Sequence, residues 1–281
     1  MKKINCPDFG VRDTFDSCIQ SYKVKSKKRE YKSCRPELIA AEDLYIRRKK
    51  SESLSFISKS QRVVGTIGKS QMEILYNRLK NKRNSDCRQL YDSLFNLAPH
   101  NICPLCGNNQ ATTIDHYLPK SKFAKYIITP INLVPCCHRC NNIKDHRSAG
   151  TAAKELLHPY FDDISSYKWL NAEIIKTSPP SAKYDIVDKE ETDSLLYKRI
   201  KNHFDVLELK KLYSDLAAGL ISDYRHLLDN FHKSGGKSGV KDLLEDMAES
   251  FAGSFKNSYK AAFCKAAANS EWYCDGGFKA I

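Results

Sequence analysis

Apolar positions recur along this chain with a period that changes from segment to segment, and the changes mark out its elements. From Pro36 the stretch PELIAAEDLYIRRKK carries a helical pattern, with proline in its first turn and a basic end that suits a helix C-terminus. Two more helices are predicted over about Ser70–Lys82 and Ser85–Leu97. In the second, Leu90, Leu94 and Leu97 share a face and Ser85 stands as its N-cap. Residues 1–34 are polar and basic with few periodic apolar positions, and read as irregular. Farther on, Trp169–Lys176 and Lys183–Val187 are β-prone runs joined through Pro179–Pro180, the mark of a hairpin. From Glu190 onward the pattern is helical. Leu209, Leu212, Leu216, Leu220 and Leu227 predict a long helix from about Phe204 to Phe231, which Gly235–Gly236 ends. One or two amphipathic helices follow through about Ala267. The leucine stripe reads as a core face, because the flanking charges are poorly arranged for a coiled-coil seam.

These periods divide the chain into a basic, mostly helical region (1–98), a central segment (99–160), and a C-terminal hairpin with helices (161–281). The fold class expected is α+β, mainly helical. Composition agrees with a folded protein: 281 residues, 41% hydrophobic and 10% aromatic. No apolar run approaches the roughly 20 residues of a membrane span. The opening MKKINCPDFGVRD has two lysines but no apolar segment behind them, so it does not read as a signal peptide. Eleven cysteines, an odd number, are scattered through the chain, which suits a reducing compartment and a cytoplasmic protein. Cys6, Cys18, Cys34, Cys87, Cys264 and Cys274 have no ligand-like spacing and read as small apolar residues.

Charge changes the picture. The net value is +13, and residues 1–98 hold 22 Lys and Arg against 11 Asp and Glu. Lys25–Arg29, Arg47–Lys50 and Lys80–Arg83 are the clusters. Any one of them alone is a solvated face; together they point to a phosphate backbone as partner. Gly65–Ser70 ends in the Gly-Lys-Ser of a phosphate loop, but Val63 stands where the loop needs its first glycine. That string reads as a turn entering a helix.

The central segment carries the chemistry. Cys103 and Cys106 form one Cys-x-x-Cys pair and Cys137 and Cys140 another, separated by about 30 residues. Four thiolates brought to one centre suit tetrahedral zinc, which would supply folding energy to a unit too small to be stable alone. Cys136 is the ambiguous neighbour. Between the pairs, Thr112–His116 reads as a strand that delivers Asp115 and His116 at its end. Cleavage of a phosphodiester needs a base for a water molecule and a cation for the leaving oxygen. A neutral imidazole suits the first task, and a carboxylate with an amide oxygen suits Mg²⁺ (or Mn²⁺) for the second. Asn141 stands at the start of a helix after the second cysteine pair, where it can face such a cation. Lys120, Lys122 and Lys125 follow the strand and are candidate phosphate contacts.

The segment from about Ile102 to Arg147 resembles the HNH endonucleases. The matching elements are Asp115–His116 with Pro119 behind, Asn132–Leu133–Val134, and Cys140–Asn141 followed by Lys144. The resemblance implies a zinc-clamped ββα-metal unit embedded between helical flanks. It makes His116 the general base, Asp115 and Asn141 the ligands of one Mg²⁺, and Asn132 a residue that holds the loop and orients His116. The family's third letter is often His; here it is Asn141, a substitution active members also carry, with His138 and His146 flanking it. The wording Asp115-His-Tyr-Leu-Pro-Lys-Ser121 is similar to HNH effectors of bacterial anti-phage systems, in particular the nuclease partner of Septu-type ATPases, including those attached to retrons. This implies a nuclease acting on DNA, restrained by an ATPase or sensor. Two rivals remain: a nuclease acting on RNA such as tRNA, and a non-catalytic zinc module that binds DNA. His100, His158, His203, His226 and His232 read as surface or packing residues, and Trp169 and Trp272 as core anchors.

Overall fold

Val11, Phe15, Cys18 and Ile19 lie on one side of a helical turn, and burying that side is what folds the first helix, α1 (Val11–Gln20). Its first amide is held from a distance in sequence: Val11 N donates to both carboxylate oxygens of Glu42 at 3.0 Å. The computed structural model describes residues 1–20, 22–81, 85–187 and 194–280. Lys82 and Arg83 of the basic cluster, the side chain of the expected N-cap Ser85, and the expected helical start at Glu190 lie outside what is described. The chain divides into two units, Met1–Asp163 and Ile164–Ile281.

In the first unit α1 is followed by α2 (Lys25–Lys32), α3 (Arg35–Lys50), the short strands β1 (Arg62–Val64) and β2 (Ile67–Gly68), α4 (Lys69–Lys80) and α5 (Ser85–Asn96). Residues 1–34, expected to be irregular, thus contain two helices. Their apolar positions are few, and α2 buries only Tyr31, so the pattern is faint beside the charge around it. The expected helices over 36–50, 70–82 and 85–97 match α3, α4 and α5 within two residues at each end. Gly65–Thr66 is the turn of the β1–β2 pair, and β2 leads directly into α4.

The central segment adds β3 (Thr113–His116), β4 (Leu133–Cys136) and α6 (His138–Lys144). β3 and β4 are antiparallel, with Thr113 opposite Cys136, Asp115 opposite Val134 and His116 opposite Leu133. This hairpin shares one core with the helices before it. Phe15, Leu38, Met72, Leu75, Leu79, Tyr91 and Leu94 pack in the same buried cluster as Ile114, Ile127, Ile128 and Leu133. The core is therefore continuous from α1 to β4, and it fixes the position of the strand that ends in Asp115–His116.

The second unit holds the expected hairpin, β5 (Leu170–Ile175) and β6 (Ser181–Ile186), then α7 (Leu195–Val206), α8 (Leu209–Ser254), α9 (Tyr259–Ala268) and α10 (Glu271–Cys274). Leu170, Ala172, Ile174, Ala182 and Tyr184 alternate into the core, and Tyr184 meets Tyr213 of α8 with ring centroids 5.7 Å apart. The single helix expected from Phe204 is two: Glu208 at φ 51° separates α7 from α8. At Gly236 only one residue leaves the helical region (φ 58°, ψ −151°), a conformation that lacks a steric penalty only without a Cβ, and the helix resumes at once. The glycine pair makes a kink where an end was expected. Among the described residues the fold is α+β and mainly helical, with three two-stranded sheets. No helix among them is long and apolar enough to cross a membrane.

Asn257 shows how the second unit closes. It is buried, its Oδ1 accepts from the amides of Trp169 (2.9 Å) and Leu170 (3.2 Å), and its Nδ2 donates to the Tyr167 carbonyl at 2.7 Å. Asn257→Ala strands those three backbone groups. Urea titration should show a loss of about 2–4 kcal/mol, and a loss under about 0.5 kcal/mol would mean that these bonds are readily replaced.

Candidate metal centre and cleft

Two structures are built on the β3–β4–α6 unit. The first is a cluster of four sulfurs. After Cys106 the chain turns back through Gly107, whose φ of 68° favours glycine and whose amide donates to the Cys103 carbonyl at 2.8 Å. The second cysteine pair sits at the start of α6, where Cys137 is the N-cap and its Sγ accepts from Cys140 N at 3.4 Å. The Sγ atoms of Cys103, Cys106, Cys137 and Cys140 all lie within 4.8 Å of one another, and all four residues are buried. A zinc–sulfur bond of about 2.3 Å places tetrahedral sulfurs about 3.8 Å apart, and Cys106 and Cys137 are at 4.0 Å. Asn109 Nδ2 adds a donor to Cys137 Sγ at 3.8 Å. A hydrogen bond with Cys103 pulls the Cys106 thiol far below its ordinary range and that of Cys137 to about 7. The donor set and its spacing fit a zinc ion. Cys136 is outside the cluster, with its Sγ 3.4 Å from Thr113 Oγ1.

The second structure is a cleft of about 420 Å³. Asp115, His116 and Asn141 all line it, with Asp145 and His146 at the end of α6. The N-terminal region contributes Tyr76 and Lys80 from α4, and Pro119 and Lys120 come from the loop after β3. Asp115 and His116 are each 7% exposed, so their chemistry is governed by what touches them.

Lys144, itself buried, donates to Asp115 Oδ2 at 2.8 Å and to the His116 carbonyl at 2.7 Å. Burial still outweighs the lysine and holds the Asp115 carboxyl above its usual range. Lys144 and a hydrogen bond from the His116 backbone act the other way and favour the carboxylate. Asn141 Nδ2 donates to Thr113 Oγ1 at 3.4 Å, which leaves its Oδ1 as the other end of the amide. A carboxylate and an amide lining one cleft are donor types that would suit a hard divalent ion such as Mg²⁺.

His116 is held on the opposite side of its ring. Nε2 lies 2.8 Å from the Ile127 carbonyl, and a carbonyl only accepts, so Nε2 carries the proton and donates. In the neutral ring Nδ1 then holds the lone pair. Burial pushes the His116 pKa down to about 3, with Lys120, Lys144 and Lys80 acting in the same direction. Tyr76 packs edge-on at 4.6 Å between ring centroids. Asn132, fully buried inside the 117–132 loop, ties that loop together next to Ile127. Its Oδ1 accepts from Leu118 N at 2.7 Å, and its Nδ2 donates to the carbonyls of Leu118 (3.1 Å) and Tyr126 (3.0 Å).

The three loop lysines differ. Lys120 lines the cleft and lies 3.6 Å from Glu73. Lys122 instead donates to the His146 carbonyl at 2.8 Å, and Lys125 to Glu37 at 2.7 Å. His138 is turned to Asn142 Nδ2 at 2.9 Å, while His146 stays at the cleft. His158 is a packing residue, buried with Nε2 2.9 Å from the Tyr45 hydroxyl. Tyr76 carried no motif in the sequence, and Lys80 stood only within a basic cluster, since it is the shared core that brings α4 to the cleft. Lys144 stood in the sequence at helical distance from Asn141, but its partner is on another element.

No family model matches the chain, and no solved structure matches it. It is similar to protein ea31 of Escherichia phage lambda, 28% identical over 155 residues that make up 54% of this chain and 52% of that protein. The chain thus spans about half the length of this relative.

Purified protein should carry zinc, lose it in Cys140→Ser with a lower unfolding temperature, and keep it in Cys136→Ala. Metal analysis in which Cys136→Ala loses zinc and Cys137→Ala retains it would reassign the cluster. Asn132→Ala should cost about 2–4 kcal/mol in denaturant unfolding, because it strands an amide and two carbonyls inside the loop.

Proposed function

We propose that this chain is a metal-dependent endonuclease of the HNH kind that hydrolyses nucleic-acid phosphodiester bonds, with DNA as the favoured polymer. One observation carries the reading: Asp115, His116 and Asn141 converge on one cleft, with His116 in the tautomer whose Nδ1 can accept a proton. A plain zinc-binding module has no need of that convergence.

In the proposed reaction His116 Nδ1 takes a proton from water as its oxygen attacks phosphorus. The 3′ oxygen departs and takes a proton from solvent, leaving 5′-phosphate and 3′-hydroxyl ends. Mg²⁺ held by the Asp115 carboxylate and the Asn141 amide oxygen would supply positive charge for the departing oxygen. The Ile127 carbonyl keeps the imidazole oriented, and Asn132 braces the loop that carries that carbonyl. Lys144 holds the Asp115 carboxylate still, so the ligand geometry is set before substrate arrives. Lys80 and Lys120 at the cleft offer charge to the phosphates. The resemblance to Septu-type nuclease partners extends the proposal to an anti-phage effector working with an ATPase. Co-expression of an active chain without such a partner should be toxic, and harmless co-expression of active enzyme would remove that extension.

Plasmid DNA, single-stranded DNA and tRNA incubated with Mg²⁺ should show cleavage of DNA by the wild type. His116→Ala should lose at least about a hundredfold in rate while retaining zinc. Cleavage confined to tRNA would change the polymer, and equal rates in both proteins would remove His116 from the chemistry. The pH dependence follows from the burial of His116. A base held near 3 stays neutral at pH 6, so kcat/KM should show no acid limb near the ordinary value of about 6.5. The anionic phosphodiester favours imidazolium once bound, so the acid limb of kcat should lie above that of kcat/KM. A kcat/KM limb near 6.5 would contradict this placement of the base.

A further inference from the structure

Phe56 is 67% exposed although Leu54, two residues earlier in the same turn, is buried. A single exposed aromatic is ordinary. This one borders a hollow of about 290 Å³ whose other walls include Leu44, Phe123 and Tyr126, with Arg48 and Lys125 also lining it. Among the described residues no carboxylate lines the hollow, although Lys125 is bonded to Glu37. Arg48 belongs to the basic end of α3, where Arg47 and Lys50 are exposed beside it. An aromatic hollow with cations around it matches a flat, electron-rich ring that carries negative charge close by.

The hollow is tied to the cleft by one stretch of chain. Pro119 and Lys120 line the cleft, and Phe123, Ala124 and Lys125 line the hollow. Ser60 fixes the stretch from the other side, donating through its amide to the Lys122 carbonyl and accepting from Ala124 N, each at 2.9 Å. Consecutive Cα atoms are 3.8 Å apart, so Lys120 and Phe123 are separated by at most about 11 Å. Nucleotides advance about 3.4 Å along a stacked strand, so this distance is about three of them. One short stretch of chain, no longer than a few stacked nucleotides, thus joins a residue lining the cleft to one lining the hollow.

We propose that this hollow receives one unpaired nucleobase of the strand being cut, stacked on Phe56, with the neighbouring phosphates on Arg48 and the basic end of α3. The inference rests on the nuclease reading and makes the substrate single-stranded, or unpaired beside the cut, in preference to blunt duplex.

Fluorescence anisotropy without added Mg²⁺ tests it, using short labelled single-stranded DNA and RNA and a blunt DNA duplex. Phe56→Ala should bind single strands about tenfold more weakly and the duplex unchanged, while Phe56→Tyr keeps the affinity. The side chain is exposed, so the melting temperature should not move. In Phe56→Trp, saturating single strand should quench the new indole emission. Equal affinities of Phe56→Ala and wild type, an equal loss on duplex, or unchanged indole emission would overturn the proposal, and the first of these would leave the hollow to a protein partner. Failure of the wild type to bind any polymer would overturn it too. The two readings fail separately. Binding that depends on Phe56, with no Mg²⁺-dependent cutting, removes the nuclease and keeps the stacking site. Cutting that Phe56→Ala leaves untouched, in rate and in binding, does the reverse.

Discussion

A helix of only seven residues is unstable by itself, so α6 takes its position from what holds its two ends. At its start Cys137 and Cys140 belong to the four-sulfur cluster. At its end Lys144 is buried against Asp115 and the His116 carbonyl. The lysine is costly to bury and the aspartate equally so; each compensates the other, and removal of either would leave an unpaired charge in the interior. Asn141 lies between the two anchors, one turn before Lys144. The pairing that ties α6 to β3 therefore also brings Asn141 and Asp115 to the same cleft.

The rest of the cleft depends on the N-terminal helices. Tyr76 and Lys80 reach the cleft because α4 packs in the same core as Ile114 and Leu133. A central segment cut free of that core would lose the ring that packs on His116 and much of the apolar surface that buries it. Burial is what holds the imidazole neutral, so its acid–base state depends on residues far off in sequence. The shared core thus carries part of the site's electrostatics as well as its shape.

Much of this was legible in the sequence where it was local. Cysteine spacing identified the four sulfurs that come together and left out Cys136. Two β-prone runs joined through Pro179–Pro180 identified β5 and β6, and helical patterns identified α3 to α5. Asp115, His116, Asn132 and Asn141 were all singled out as residues; their contacts were not. What escaped depends on tertiary contact. α1 is secured by Glu42 on α3, and Tyr76 meets His116 across the core. Lys122 and Lys125 look like phosphate contacts in the sequence, yet fold back onto His146 and Glu37. A local pattern also cannot decide whether a glycine pair ends a helix or bends it, and at Gly236 it bends it.

In the proposed reading α6, pinned at both ends, would present Asp115 and Asn141 to a cation held apart from the four cysteines. Anomalous diffraction from crystals soaked in Mn²⁺ tests this most directly, with wavelengths chosen to separate zinc from manganese. Zinc is expected among the four sulfurs and manganese between the Asp115 carboxylate and the Asn141 amide oxygen. Manganese bound instead by His138 or His146, or no manganese in the cleft at all, would contradict it.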